Sequence, residues 1–582
     1  MGNNESSCGY HMQDMGSPKG LQWDYEADIV IIGAGGAGLP AGLKAITEGA
    51  SVIYVEANWD VGGHCAVNRG NLHSGGGTSS QKKHGIGDCP DWYYRDHTHG
   101  ASPSSRYNDR TVVRAVADHM VEAYEYLLKN GVKISEREPR PAKHSYINGG
   151  NDPDSVTRET FTDQLSEDWV SYNEGIPPSL TGNTQPGIGI TRPLERSARE
   201  GGAQFLLNYH MDKIYRERPK SGRVLGVCAS YAPTILPGET KPLKSHWEGG
   251  NIQSTKPEVN VKAIKGVIIA TGGHSGDINM RTMFDPRLTV EYDGPAGEPF
   301  SRQDGSGEYA ALEVGASWGT LANQCQSYGS QLSHPRYIGC RYGYGEQWYE
   351  TSPIFKLIRA TGLRADEYPG IILVNMLGQR FWNEDDAVAG NYSVKSHDYY
   401  DRALGSVYIE NDSGQGGSRR FGGPIWAIFD SAEVERRGWN IREGTVDIED
   451  GRFFCADTIK DLAKKIVNKY YEDIKMDPTT LAETVCRYNG YVVAGVDEEW
   501  GKESLVYKIE KAPFYAAWAT PICHDTLTGI RVNGKMQVID LYGRIIPGLY
   551  CAGESSAGMR IHGLGRVITT GYIAGKYAAT EG

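Results

Sequence analysis

The stretch from Ala27 to Glu56 constrains the fold of this chain more than any other. A β-branched run, ADIVII, stops at Gly33, and Gly33-Ala34-Gly35-Gly36-Ala37-Gly38 follows. Pro40 to Glu48 has helical composition, and SVIYVE is a second apolar run ending on Glu56. Strand, glycine turn, helix and strand in that order predict a parallel βαβ unit. In the pattern G-x-G-x-x-G, Gly33 makes the tight turn, Gly35 lets a pyrophosphate approach the backbone, and Gly38 lets the helix pack closely on the strand. The helix N-terminus then faces the phosphates, while Glu56, with Ala57 beside it, reaches an adenosine ribose hydroxyl.

This unit alone does not separate FAD from NAD. Glycine does, because 74 of the 582 residues are Gly while Pro, at 27, is ordinary and no Gly-X-Y period exists. The excess is local, as in Gly62-Gly63, Gly75-Gly76-Gly77, Ala270-Thr271-Gly272-Gly273, Asp304-Gly305-Ser306-Gly307 and Ala552-Gly553-Glu554. A long flavin needs contacts from several segments, and these clusters are spread as such contacts require.

Composition excludes other classes. Sixty Lys and Arg against 72 Asp and Glu give a formal charge of −12 with no like-charge run, which argues against nucleic acid. The longest uncharged apolar stretch, residues 29–43, falls short of the roughly 20 residues needed to span a bilayer and is broken by glycines and Pro40. No membrane span is expected. The polar N-terminus reads as a flexible lead-in without a signal-peptide pattern, which points to a cytoplasmic protein, or to a periplasmic or exported one if a leader was removed. Ten Cys include no Cys-x-x-Cys, so no metal site is expected and the thiols read as reduced and mostly buried. The 35 Tyr against 11 Phe suit either a pocket for a polycyclic ligand or a hydrated surface.

Along the chain, helices are expected at Asp109 to Asn130 and Pro193 to Glu200, and strands at GRVLGVCAS and at VKAIKGVIIA, residues 261–270. The stretch from Gly149 to Gln185 is turn-rich and yields no element. From about Gln324 an aromatic-rich character begins, with a short strand, GIILVN, and helices expected at Asp457 to Tyr471 and Pro478 to Ala494. After Thr520 the strand and glycine-loop style returns. The fold class expected is therefore α/β, a Rossmann-like FAD-binding domain interrupted by an α+β capping domain. The divisions are 1–24 lead-in, 25–323 FAD-binding, 324–520 cap, and 521–582 FAD-binding again.

The glycine turn, ATGG, IPGLYCAGE and HGLGRVITTGYIAG together resemble the flavoprotein family of fumarate reductases, succinate dehydrogenases and 3-ketosteroid dehydrogenases. GIILVNMLGQRFWNED, ADTIKDLAKKI and LAETVCRYNGYVVAGVDEEWG resemble stretches of that family's cap, so the likeness covers nearly everything after residue 25. The resemblance implies that Glu554 binds the ribityl chain and that Gly76 and Gly77 lie near the isoalloxazine. It also implies that the last helix aims its N-terminus at the flavin ring, an end that favours the anionic reduced flavin. His64 stands in a place similar to that where succinate dehydrogenases carry a covalently attached flavin, although Gly75 follows it only eleven positions on, farther than in that pattern. Non-covalent FAD with His64 as a hydrogen-bonding loop residue is the default, and covalent attachment the alternative.

For the reacting end, the resemblance places His524 and Asp525, in PICHDTLTG, where substrate meets flavin. It matches His562-Gly563-Leu564-Gly565-Arg566 to a segment whose Arg clamps a carboxylate, and a guanidinium fork suits a carboxylate or a developing oxyanion. A structural ion pair is the alternative for Arg566, and a satisfied loop pair for His524 and Asp525. One departure matters: Glu384 is followed by DDAVAGNYSV, without the proton-donating Arg that fumarate reductases carry there. Tyr hydroxyls, which ketosteroid dehydrogenases use, are then the substitutes, with Tyr342 and Tyr344 foremost beside Tyr337 and Tyr349. The function expected is hydride transfer between flavin N5 and a carbon of a carbonyl- or carboxyl-activated C–C bond of a small molecule, as dehydrogenation or ene reduction, with a cyclic or aromatic ketone or enone favoured. The alternatives are a fumarate-reductase-like enoate reductase, a flavin oxidase of an alcohol or amine, and a non-catalytic flavoprotein subunit. A separate electron-transfer partner is compatible with all of these.

Overall fold

The structure is a computed structural model and describes residues 20–68, 70–99, 107–139, 156–163, 187–286, 288–292, 295, 297, 300–319, 326–328, 357, 363, 368–388, 408–409, 419–420, 423–439, 441, 451–520, 522–559, 561 and 563–582. The first elements are β1 (Tyr25–Ile32), α1 (Gly38–Thr47), β2 (Val52–Glu56), α2 (Gly63–Val67), β3 (Asn71–His73), α3 (Ser79–Lys83), α4 (Pro90–His99) and α5 (Arg110–Lys129). Then come β4 (Glu159–Phe161), α6 (Ile188–Glu200), β5 (Gln204–Leu207), β6 (Tyr209–Arg218), β7 (Ser221–Tyr231), β8 (Glu258–Ile269), α7 (Ile278–Phe284) and α8 (Ser306–Glu313).

The βαβ unit forms as its sequence dictates: β1 pairs in parallel with β2, and Ile29, Val30 and Ile31 are wholly buried. A parallel sheet covered on both faces requires such uninterrupted apolar strands. β8 lies on the other side of β1, also in parallel, and β5 extends the sheet beyond β2. The strand Ile545–Cys551, from far along the chain, pairs in parallel with β8, and Gln537–Ile539 closes that edge. The β6–β7 hairpin packs antiparallel on the first half of β8. The C-terminal helix, Leu564–Glu581, lies directly on α1, because Gly571 and Gly575 bring its backbone against the carbonyls of Ala37 and Ala41. No other residue permits so close an approach.

The helix expected from Asp109 is α5, with the Asp109 side chain accepting from Thr111 and Val112 N–H. α6 begins at Ile188, five residues before the expected Pro193, and carries that proline inside it. Within the turn-rich stretch the described part contains β4, which pairs antiparallel with β3.

The cap is built on a four-stranded antiparallel sheet of Ile372–Val374, Trp426–Asp430, Phe514–Trp518 and Phe453–Ala456, in that order. Helices Ile459–Lys465 and Pro478–Ala494 pack over one face on Trp426, Leu462, Leu481 and Tyr488. The second helix has the expected bounds, set by Asp477 and Pro478 at its start and Gly495 after its end. The first ends at Lys465, short of the expected Tyr471. Asn468 explains the stop, because its side chain turns into the core, accepting from Trp426 Nε1 and donating to the carbonyls of Met376 and Ile474. No helix among the described residues is long and apolar enough to cross a membrane.

Candidate active site

The Gly33–Gly38 turn sits where β1 ends, between β2 and β8. Gly33 N–H donates to the Val55 carbonyl and Ala270 N–H to the Ile32 carbonyl. Gly35 and Gly62 form an isolated parallel bridge, and Gly62 N–H donates to the Ala34 carbonyl. The Glu56 carboxylate, at the tip of β2, accepts from Ala34 N–H at 2.6 Å and Asn58 N–H at 2.9 Å. Burial dominates its titration, pushing the carboxyl up to about 7 against those backbone donors. A buried carboxylate with this cost is suited to taking further hydroxyl donors.

Glu554 joins three segments. Its Oε1 lies 3.3 Å from His64 Nδ1, its Oε2 accepts from Gln303 Nε2 at 2.9 Å, and Thr526 N–H points at Oε2 from 3.4 Å. Gln303 Nε2 also donates to the Gly272 carbonyl, and Ser555 Oγ sits against Thr271 Oγ1 while accepting from Gly273 N–H. These contacts bring Gly33, Gly35, Gly36, Ala37 and Gly38 of the turn together with Glu56, Ala57, Gly62 and Gly63 at the ends of β1 and β2, and join His64, Ala270, Thr271, Gly272 and Glu554 in a second cluster at the end of β8. Gln303, Ser555 and Thr526 were not legible as site residues; Gln303 and Ser555 lie next to glycine clusters that were, and Thr526 follows Asp525.

Gly76 and Gly77 lie on the loop that follows β3. That loop meets the C-terminal helix, since Gly565 rests against the His73 carbonyl and Ser74 Oγ. Gly563 caps this helix with a φ of 107°, and its first turn begins beside the loop. Arg566 is on the helix's first turn, buried, with Nη1 donating to the Met559 carbonyl at 2.8 Å. The backbone of His524 and Asp525 lies on strand Ile522–Asp525, which pairs antiparallel with Gln326–Tyr328 and leads into Thr526. Their side chains, and Tyr337, Tyr342, Tyr344 and Tyr349, lie outside the described residues.

Asp304 pairs with a histidine of β6. Its Oδ2 lies 3.0 Å from His210 Nε2, whose Nδ1 lies 3.3 Å from Asp212, and Oδ1 accepts from Ser306 N–H at the start of α8. Hydrogen bonds to Asp212 and Asp304 hold the His210 pKa up at about 10. A raised folded pKa contributes stability below the ordinary value of 6.5 that is lost as the pH climbs toward 10. With the His210 and Asp304 side chains 25% and 38% exposed, solvent screening limits this loss to about 1 kcal/mol. Urea unfolding of the wild-type protein is expected to show that decline over this window, and His210→Ala to remove it.

FAD fits these residues. Gly35 and Gly63 face each other without side chains, a Cβ on either coming only into ordinary contact at 3.6 Å with the other's segment, so bare backbone lines the turn where a pyrophosphate would lie against first-turn N–H groups. The buried Glu56 carboxylate could accept from ribose hydroxyls, and the cluster on Glu554 would supply polar groups for a hydroxylated chain. Fold and cleft together define a flavoprotein built on a dinucleotide-binding sheet with an inserted cap. Residues 28–323 and 354–566 match the FAD binding domain family, to which this chain belongs. FAD is its cofactor.

Among curated proteins, the chain is 25% identical to NADH:acrylate oxidoreductase of Vibrio harveyi over 95% of its own length, but spans only half of that protein. It is 28% identical to the acrylate reductase flavoprotein subunit of Shewanella woodyi, covering 94% of this chain and 88% of that one. It is 26% identical to a 3-oxosteroid 1-dehydrogenase of Mycolicibacterium smegmatis, covering 94% and 96%. In fold it resembles the open form of a flavocytochrome c3 fumarate reductase, with a TM-score of 0.62, 22% identity and coverage of 96% and 78%. A 3-ketosteroid Δ1-dehydrogenase of Sterolibacterium denitrificans gives 0.61, 18% identity and coverage of 96% and 100%.

Proposed function

We propose that this FAD-dependent CH–CH oxidoreductase moves a hydride between flavin N5 and a carbon of a carbonyl- or carboxyl-activated C–C bond, with a proton exchanged at the neighbouring carbon. The observation that carries the reading is the Glu554 carboxylate, which ties the segment bearing His524 and Asp525 to the cofactor cleft through Thr526 and also holds Gln303 and His64. When bound, the flavin supplies the redox chemistry. The protein binds the adenosine end through Glu56 and the glycine turn, and aims the C-terminal helix's positive end at the ring. Arg566 and His524 polarise the activating oxygen. Asp525 orients that group, and a cap tyrosine, Tyr342 or Tyr344, takes or gives the proton at the neighbouring carbon. The cap excludes water from the reacting bond.

The missing Arg after Glu384 weighs against small dicarboxylates and for a cyclic or aromatic ketone or enone. Relatives named as reductases and as a steroid dehydrogenase support both directions of the same chemistry. One relative is named a flavoprotein subunit and another an NADH oxidoreductase, which supports an electron donor separate from this chain.

The test is anaerobic, following flavin absorbance. Bleaching of oxidised enzyme by a saturated cyclic ketone establishes dehydrogenation, and reoxidation of dithionite-reduced enzyme by an enone establishes ene reduction. Flavin that responds to neither ketosteroids, aryl enones nor dicarboxylates overturns the proposal in favour of a non-catalytic subunit, and bleaching only by alcohols or amines with fast reoxidation in air favours an oxidase. Acid precipitation of the same samples is expected to release the flavin; a pellet that stays coloured in wild type and loses its colour in His64→Ala would establish attachment at His64.

A further inference from the structure

The loop Ser74–Gly77 is held by a buried charge cluster. Asp88 and Arg158 are fully buried side chains that form a two-pronged pair, Nε to Oδ2 at 2.8 Å and Nη2 to Oδ1 at 2.9 Å. Arg158 Nη1 reaches Asp96 Oδ2 at 2.8 Å, and the guanidinium lies 5.0 Å from the Tyr93 ring centroid. The other lone pairs of Asp88 Oδ2 face the loop, accepting from Gly76 N–H at 2.6 Å and Gln81 Nε2 at 2.9 Å. Gln81 Oε1 in turn accepts from Gly77 N–H at 3.0 Å, and Ser74 N–H donates to the Arg158 carbonyl. Three of the loop's four residues, Ser74, Gly76 and Gly77, thus hang on one cluster.

A carboxylate this deep would resist ionisation. The Arg158 fork and charge, with the Gly76 N–H and Gln81, nevertheless hold its pKa below the ordinary value, so Asp88 is a full acceptor. Charge-assisted bonds of this kind are short and directional. The loop needs them, because Gly76 and Gly77 have φ of 88° and 97°, which an unsupported glycine pair would exchange freely for other conformations.

We propose that Asp88, locked by Arg158, is a positioning residue that fixes the Gly76–Gly77 backbone against the flavin ring. This inference rests on the reading that the loop borders the flavin. Asp96 provides the comparison: Asp88→Asn and Asp96→Asn remove the same charge from the same cluster, but only Asp88 holds Gly76.

The experiment is hydrogen exchange of the peptide covering Ser74–Gly77 in apo- and FAD-loaded protein, together with the flavin absorbance band and midpoint potential of each variant. Asp88→Asn is expected to speed exchange of that peptide about tenfold and Asp96→Asn less than about twofold, as local opening follows loss of the specific restraint. The flavin band and potential are expected to shift more in Asp88→Asn. Equal changes in the two variants, or none in Asp88→Asn, overturn the proposal. Gln81→Leu removes the Gly77 acceptor and one donor to Asp88 without removing a charge, so it carries the same test if Asp88→Asn does not fold, with faster exchange expected and unchanged exchange overturning the proposal. If flavin fails to protect the loop in wild-type protein while Asp88→Asn still opens it in the apo form, the placement of the loop at the flavin is overturned and the clamp itself is not.

Discussion

Gly38→Ala is expected to yield protein almost free of FAD and less stable by about 3 kcal/mol, the upper range for overpacking a close contact. The reason is geometric. A methyl group on Gly38 would be driven into the Gly33 carbonyl oxygen, deep inside van der Waals contact, with Ile31 Cγ2 also at 3.3 Å. Neither neighbour can give way: Gly33 is pinned by its N–H bond to the Val55 carbonyl, and Ile31 is wholly buried in β1. α1 must therefore lift off the strand, and the first-turn N–H groups that would face the pyrophosphate move with it. The control is Gly490→Ala, mid-helix in the cap, where a Cβ meets nothing within 4 Å. There the same substitution is expected to stabilise by about 1 kcal/mol, since alanine loses less freedom in a helix than glycine. Flavin absorbance per protein and thermal unfolding of the two variants check both expectations; a Gly38→Ala protein with full flavin content would show that the turn can relax.

That contrast also explains what the sequence could convey. The dinucleotide unit is legible because every part of it is local: the β-branched run, the glycine spacing and the terminal Glu56 lie within one stretch of chain. The helix Pro478–Ala494 was legible for the same reason, with its cap residues beside it. The neighbouring helix was misjudged at its end because the stop at Lys465 is set by Asn468 reaching Trp426 and Met376, partners far away in sequence. Asp304 stands out by its glycine neighbours, whereas its partner His210, 94 residues earlier on β6, carries no signal that links the two. The Asp88–Arg158 pair spans 70 residues and crosses turn-rich sequence with no periodicity. Long-range polar pairing leaves no spacing pattern, so sequence reasoning finds cradles of glycine and misses the charges that hold them.

Arg380→Met is expected to cost about 3–5 kcal/mol, the usual penalty for breaking a buried ion pair from one side. Arg380 lies in the RFWNE segment of the cap, its side chain 1% exposed, with Nε and Nη2 on the two oxygens of Glu384 and Nη2 also 2.8 Å from Asp497 Oδ2. Lys502, equally buried, lies 3.6 Å from Glu384 and donates to the carbonyls of Tyr368 and Ile371. Two cations thus balance two carboxylates inside the cap. Glu384 also accepts from Leu373 N–H on the sheet's edge strand, so the network fixes the sheet to the segment following the last helix. Removing the guanidinium leaves one negative charge in excess where water cannot reach it. Arg380→Lys is expected to recover little, because an ammonium cannot span Glu384 and Asp497 at once. The sign with pH follows from the same balance. Arg380 holds Asp497 below the usual carboxylate range against burial, so without it that carboxyl titrates higher and protonates earlier. The deficit of the variant is therefore expected to shrink as the pH falls toward 5, opposite to ordinary acid destabilisation. Trp426 and Trp518, packed edge-on with ring centroids 5.6 Å apart in this sheet, report the cap, while bound flavin reports the cleft. In urea the tryptophan transition of Arg380→Met is expected at lower denaturant than the flavin transition, so that the cap melts off a cofactor domain still loaded with FAD. Coincident transitions would mean that cap and cofactor domain unfold as one unit and that the charge network supports both.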